Sequence, residues 1–186
     1  LGIIYFIIGF YLAYKILRID HSCGAHEASL PNTWNTKVDY KDIKDKQRID
    51  LRKNFKATKY HLNKWEEVAF SSRDPSVTIS GWLFNYYPKK PVVIVVHGIF
   101  PNGKCKYESN LIASLLINNN INALTIDLRN YGQSTVVSHY ENLGLTEYLD
   151  ILGAFDFLQT RGFKNSQIGL LGISLGASTA IFAASY

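Results

Sequence analysis

Three short runs of β-branched and aliphatic residues recur along the second half of the chain. They span residues 91–97, 121–127 and 167–173. Continuous apolar runs of this length are typical of strands that are buried on both faces of a parallel sheet. The segments that follow them carry apolar residues at helical spacing, and in the first segment these are Tyr107, Leu111, Ile112, Leu115 and Leu116. This spacing predicts helices over 104–119, over 146–160 and from Leu175 onward.

The alternation of strand and helix defines the predicted fold class. Three strands, each followed by a helix, predict an α/β fold with a mostly parallel sheet and right-handed crossovers. A β-hairpin precedes them, because WEEVAFSS and VTISGWLFNYY flank a turn at residues 73–76. We therefore predict an α/β domain over residues 61–186 with a hairpin at its N-terminal end.

Residues 1–18 form an apolar segment with no charge before Lys15. A membrane-spanning helix needs about 20 such residues, and Tyr11 and Tyr14 beside the basic flank resemble an interfacial belt. The sequence contains no methionine, and we expect it to be part of a longer chain. The segment predicts a single-pass anchor, with the side of the membrane left open. A cleaved signal peptide of a secreted protein is the alternative.

Residues 19–60 are polar and predict a connector that is partly helical around 39–56. The net charge of +5 originates here, since residues 37–64 hold ten Lys and Arg against four Asp. The two signs are mixed and no nucleic-acid motif accompanies them, so we predict no nucleic-acid partner. A solvated connector is favoured over contact with anionic lipid headgroups.

The composition restricts the remaining function classes. With 47% hydrophobic residues the chain is rich enough for a core, which excludes disordered, collagenous and coiled-coil proteins. Cys23 and Cys105 lie far apart with no partner at metal-ligand or CxxC spacing, which excludes a disulfide scaffold and a cysteine zinc site. No phosphate loop, dinucleotide fingerprint or metal-ligand cluster is present. We therefore predict neither a cofactor nor a metal.

The strongest chemical signal is the sequence Gly172-Ile173-Ser174-Leu175-Gly176, where a predicted strand meets a predicted helix. A sharp turn at such a junction presents a serine hydroxyl above the sheet edge, and the glycines let neighbouring backbone pass. The start of the helix points free amides at the same place. We predict Ser174 as a nucleophile and the Leu175 amide as one oxyanion donor.

Two further loops follow predicted strands at the same edge of the sheet. Gly98 allows the chain to turn so that the Ile99 amide supplies the second oxyanion donor, with the Phe100 amide as the alternative. The alternative roles for these loops are a catalytic base at His97 and a triad acid at Asp127. We favour a structural role for both, in which Asp127 braces the loop that it begins.

These motifs carry a resemblance to a known family. PVVIVVHG, LTIDLRNYGQS and IGLLGISLGAS, in this order, resemble the N-terminal half of an α/β-hydrolase fold enzyme. Within that superfamily, the hairpin and the EYLDILGA helix resemble the same segments of a group of serine hydrolases. This group is related to serine aminopeptidases, monoacylglycerol lipases and Bem46-like proteins. The resemblance covers about residues 65–186. It implies a partial sheet, a Ser174 nucleophile, an oxyanion hole from Ile99 and Leu175, and framework roles for His97, Gly98, Asp127, Gly172 and Gly176.

The triad is where the sequence departs from the family. In this fold an acid and then a histidine follow the serine, but residues 175–186 contain neither. The acid and the base are therefore absent from this chain unless His139 substitutes as the base. We expect residues 1–186 alone to be inactive.

The function implied by the resemblance is a serine hydrolase that cleaves a small-molecule ester, thioester or amide through an acyl-serine. Its substrate is hydrophobic or acyl-lipid-like. The alternatives are a catalytically silent binding protein or remnant, and transacylase or peptidase chemistry at the same serine. The sequence does not define an oligomeric state.

Overall fold

The centre of the molecule is a five-stranded sheet. The computed structural model describes residues 2–18, 30–34, 54–99 and 103–186. The strands are β1 Glu66–Ser71, β2 Thr78–Phe84, β3 Val92–Val96, β4 Asn122–Ile126 and β5 Ile168–Gly172. They lie in the order β1-β2-β4-β3-β5, with β1/β2 and β2/β4 antiparallel and β3 parallel to both β4 and β5. The predicted hairpin and parallel strands are confirmed.

Helices cover both faces of this sheet. The helices on the sheet are α2 Tyr107–Asn118, α3 Tyr148–Thr160 and α4 Leu175–Ala184, and α1 Gly2–Leu17 precedes them in the chain. α2 packs on β3 and β4, whereas α3 and α4 pack together on the opposite face. The three helices predicted to follow the parallel strands are therefore present, with ends within three residues of the expected positions. The α/β fold class is confirmed.

Alternation along β2 shows how the two faces are filled. Ile79 and Leu83 point into the core beneath α3 and α4, and Trp82 and Phe84 point into the core beneath α2. Successive side chains of a strand face opposite sides, so burial on both sides requires apolar residues at nearly every position. The continuous apolar runs in the sequence have this origin.

The buried face of α2 differs from the sequence prediction. Spacing favoured a stripe that includes Leu111 and Leu115, but Leu115 is 44% exposed. The buried positions are instead Ser109, Asn110, Ala113, Ser114 and Ile117. Small side chains let the helix approach the sheet closely, and this approach outweighs the burial of larger side chains. The pattern located the helix but not its inner face.

α1 contacts the domain only near its C-terminal end. The Leu17 carbonyl accepts a hydrogen bond of 2.8 Å from the Glu141 amide, and the rings of Tyr14 and Tyr140 meet edge to face. Most of its apolar side chains are exposed. Among the residues that the structure describes, no helix combines the length and apolarity needed to cross a membrane. The anchor predicted over 1–18 therefore has no support from the structure.

Two parts of the predicted connector lie within the described ranges. Trp34 is buried, its carbonyl lies 2.9 Å from His61 Nε2, and the Pro31 carbonyl accepts a bond from the Leu62 amide. Residues 30–34 thus pack beside the start of the domain. The helix predicted around 39–56 falls almost entirely outside the described residues, and the boundary at 60/61 stays a prediction.

Cys105, just before α2, is disulfide-bonded. The sequence contains one other cysteine, Cys23, which lies outside the described residues. The sequence predicts no disulfide at Cys105, because the cysteine spacing matches neither a metal site nor a short redox motif.

β5 lies at the edge of the described sheet. Leu170 in its centre is 37% exposed. An apolar groove of about 410 Å³ runs beside this strand and is lined by residues such as Ile151, Phe155 and Ala183 from α3 and α4. The described sheet therefore ends in an open, apolar edge.

A buried arginine joins the loop after β4 to α3. The Arg129 guanidinium lies 2.7 Å from Asp150 and 3.1 Å from Asp74, and both Arg129 and Asp150 are almost fully buried. The backbone amide of Arg129 also donates to Asp150. One side chain thus ties this loop to the hairpin turn and to α3.

Arg129→Met should lower the free energy of unfolding by about 3–5 kcal/mol, because it leaves the Asp150 carboxylate buried without its charged partner. Arg161→Met is the matched control, since Arg161 pairs with Glu66 at the surface and the change there should cost no more than about 1 kcal/mol. Urea unfolding followed by circular dichroism measures both. Equal losses in the two variants would contradict the assignment.

Glu141, beside the end of α1, should make stability depend on pH. Burial raises its pKa to about 7, and the negative charges of Glu147 and Asp150 act in the same direction. The folded protein then holds a proton between pH 4.5 and 7 that the unfolded chain releases, so stability falls as the pH rises through this window. In wild type the free energy of unfolding should fall by on the order of 3 kcal/mol across this window. Glu141→Gln should remove this dependence on pH. Denaturation at pH 5 and pH 8 tests this, with the exposed Glu67→Gln as a control that keeps the fall. Parallel pH profiles for wild type and Glu141→Gln would rule it out.

Candidate active site

Three predicted site segments meet at one edge of the sheet. His97 follows β3, Asp127 follows β4 and Ser174 stands between β5 and α4. These three strands are parallel and adjacent, so their carboxyl ends lie side by side. In open parallel sheets this edge is where ligands bind.

Ser174 has an unusual backbone conformation. Its φ is 53° and its ψ is −113°, a region that residues with a Cβ rarely occupy. The residue is exposed at the tip of the turn, and its hydroxyl forms no capping hydrogen bond with the helix that follows. A serine before a helix ordinarily caps it. Here the hydroxyl makes no such bond, and the residue is exposed to solvent.

Close backbone packing holds this turn in place. A Cβ on Gly176 would overlap the carbonyl oxygens of Val96 and His97, and a Cβ on Gly172 would overlap the carbonyl of Gly176. Only glycine fits at either position. The start of α4 is therefore pressed directly against the end of β3.

The loop after β3 lies beside the serine. A Cβ on Gly98 would lie 3.1 Å from the Ile173 carbonyl oxygen and 3.2 Å from the Ser174 Cβ. Within the described ranges, the amides of Ile99 and Leu175 donate to no protein acceptor. These are the two donors that the sequence predicts for an oxyanion hole. Phe100, the alternative donor, lies outside the described residues.

His97 is fully buried behind this loop. Its Nδ1 lies 2.9 Å from the Gly98 carbonyl oxygen, and its Nε2 accepts a 3.2 Å hydrogen bond from the Leu128 amide. Burial lowers the pKa of the imidazole to about 4. Both ring nitrogens are occupied by backbone groups, an arrangement that fits a framework role better than proton transfer to and from Ser174.

Asp127 is paired with a lysine that the sequence analysis missed. Lys104 Nζ lies 2.5 Å from Asp127 Oδ2, and both side chains are buried. The lysine also contacts Ser80 and Gln133, and its ammonium lies over the Trp82 ring. Asp127 thereby braces the start of its loop and links β4 to the segment before α2. A lysine 23 residues away gives no sequence signal of such pairing.

In the described ranges, no histidine contacts the serine as a candidate base. His61 and His97 are engaged elsewhere, His139 is exposed on the loop between β4 and α3, and His21 and His26 lie outside the described residues. Among the residues that the structure describes, no histidine hydrogen-bonds to the Ser174 hydroxyl. The described residues thus contain the predicted nucleophile and oxyanion donors without a triad.

No protein-family model matches this chain. Solved structures do. The esterase Pf2001 of Pyrococcus furiosus is 26% identical over 71% of this chain and 51% of its own, with a TM-score of 0.58. The α/β hydrolase GrgF from Penicillium sp. sh18 is 22% identical over 66% of this chain and 42% of its own, also with a TM-score of 0.58. The fold is that of the α/β-hydrolases.

A third α/β-hydrolase relative in structure is Est1E from Butyrivibrio proteoclasticus, solved with ferulic acid bound. It is 21% identical over 63% of this chain and 47% of its own, with a TM-score of 0.54. The chain thus spans about half the length of these neighbours, and its sheet is a partial α/β-hydrolase sheet. The finer resemblance to serine aminopeptidases, monoacylglycerol lipases and Bem46-like proteins stays a prediction.

The backbone strain at the Ser174 turn of this α/β-hydrolase sheet should be measurable. Ser174→Gly should unfold with a free energy about 1 kcal/mol higher than Ser174→Ala, because only glycine adopts the conformation without strain. At Ser178, inside α4, the order should reverse by a similar amount because glycine weakens a helix. Thermal unfolding of the four variants checks both signs. If the Gly and Ala variants had the same order of stability at Ser174 and at Ser178, the backbone at Ser174 would not be strained.

Proposed function

We propose that this chain carries the nucleophile and the oxyanion hole of a serine hydrolase. The reaction is cleavage of an ester, thioester or small amide through an acyl-serine intermediate. The observation that carries the proposal is the conformation of Ser174, a strained and exposed serine between a buried strand and a helix. Strain of this kind persists where a function selects it, and the elbow of α/β-hydrolases is such a place.

The surrounding backbone supports the same chemistry. The Leu175 amide begins α4, where amides lack intrahelical partners and the helix dipole favours negative charge. The Ile99 amide belongs to the loop that lies against the Ser174 Cβ. Two backbone donors beside one nucleophile can share the charge of a tetrahedral intermediate.

The proposed reaction has two steps. Ser174 Oγ bonds to the carbonyl carbon while its proton passes to a histidine, and the amides of Ile99 and Leu175 stabilise the oxygen that gains the negative charge. The leaving group departs with that proton, and water then releases the acyl group by the reverse route. The proposal requires a histidine and an acid outside the described site. Residues 175–186 contain neither.

An ester is the substrate class that we favour. The neighbour with the highest identity among those described above is an esterase, and the backbone donors impose no preference for a charged substrate. We further propose a hydrophobic or acyl-lipid-like acyl group, in keeping with the many apolar side chains on α1. Transacylation and peptide cleavage use the same serine and differ only in the groups that bind the acceptor.

A fluorophosphonate probe tests this function on the full-length protein. We expect the probe to label wild type and to leave Ser174→Ala unlabelled, because the probe bonds to an activated serine oxygen. Labelling is read by gel fluorescence and located by peptide mass spectrometry.

Ser178→Ala is the control, since Ser178 lies one helical turn further along α4 and its hydroxyl donates to the Leu175 carbonyl. This variant should label as wild type does. Equal labelling of wild type and Ser174→Ala, or none of either, would overturn the proposal and favour a silent binding protein.

A further inference from the structure

Lys106, at the start of α2, reaches over the loop that follows β3. Its Nζ donates hydrogen bonds of 2.7 Å to the Gly98 carbonyl and 2.8 Å to the Ile99 carbonyl. Both contacts are partly buried. A charged donor on a neutral carbonyl makes a shorter and stronger bond than a neutral donor does. Lys106 therefore fastens the loop that lies against Ser174.

The Gly98 carbonyl belongs to the peptide group that carries a predicted oxyanion donor. The Gly98 carbonyl and the Ile99 amide belong to the same peptide group, so a donor on the oxygen increases the polarity of the N–H. His97 acts on the same oxygen, because its Nε2 accepts from Leu128 and its Nδ1 must then carry the proton that it donates to Gly98. The bonds from Leu128 through His97 to Gly98 form a chain in which each bond strengthens the next, and Lys106 adds a second donor on the same oxygen.

We propose that Lys106 is a positioning residue for the oxyanion hole, whose ammonium orients and polarises the Gly98–Ile99 peptide so that its N–H binds the developing oxyanion more strongly. The inference rests on the proposed function and extends it to a side chain that never touches the substrate. A backbone donor cannot be removed by substitution, but its strength can be changed through the carbonyl of the same peptide.

The charge of Lys106 is sensitive to pH. Burial lowers the pKa of this amine to about 8, and the nearby Glu108 acts weakly in the opposite direction. Among the described residues, the other charged groups at this end of the sheet include two salt-bridged pairs, Lys104 with Asp127 and Arg129 with Asp150, and His97 is neutral above about pH 5. The positive charge on the loop should therefore be lost as the pH rises through 8.

The test measures the rate of fluorophosphonate labelling of the full-length protein from pH 6 to pH 10. Wild type should show a rate that falls above about pH 8. Lys106→Met should label about tenfold more slowly at pH 7, less than the 10²–10³ lost with an entire donor, and should lack the alkaline fall. Lys106→Arg should restore most of the rate and keep it up to pH 10, because guanidinium stays charged.

The exposed Lys64→Met is the matched control, and it should follow wild type at every pH. A folded Lys106→Met with the wild-type rate and pH profile would overturn the inference. If Lys106→Met fails to fold, the comparison of wild type with Lys106→Arg decides, and identical alkaline limbs would overturn it.

The two proposals fail in different ways. Wild type labelled no more than Ser174→Ala would remove the hydrolase function and this inference together. Labelling that depends on Ser174 but not on Lys106 would remove the inference alone.

Discussion

The buried ion pair between Lys104 and Asp127 is the interaction on which the site depends. Two charges removed from water are stable only when their geometry and hydrogen bonds are complete, and Ser80 and Gln133 complete the set around this lysine. The pair fixes the chain just before α2 to the end of β4. It thereby places Lys106, two residues later, over the loop that carries the predicted oxyanion donor.

The second constraint is the close fit between the loop after β3 and the turn after β5. A Cβ at Gly176 would overlap the backbone at the end of β3, and a Cβ at Gly98 would crowd the turn at Ser174. The turn can therefore hold Ser174 in a conformation that costs on the order of 1–3 kcal/mol, because relaxing it would separate α4 from β3. Strand pairing in the sheet thus supports the strained residue, and the exposed hydroxyl is a consequence of buried packing.

The sequence predicted the elements better than their contacts. The runs ending at His97, Asp127 and Ile173 were recognisable as strands because burial on both faces requires apolar residues throughout, and the GxSxG pattern gained its meaning from standing after one of them. The inner face of α2 was mispredicted because small and polar residues line it. The roles of Lys104 and Lys106 could not be predicted from the sequence. Lysines are ordinarily solvated, and the partners of these two are set by the tertiary fold.

The predicted oxyanion donors beside Ser174 are main-chain amides, and this affects how such a site changes through evolution. Most single substitutions change a side chain and leave these amides in place. The position of the amides therefore depends on the residues that determine the backbone conformation. Drift in side chains around the pocket can then alter the substrate while the charge-stabilising groups persist. A methyl group added at Gly176 would overlap the backbone of β3 and shift the start of α4, so it would move the predicted donor even though the serine stayed in place.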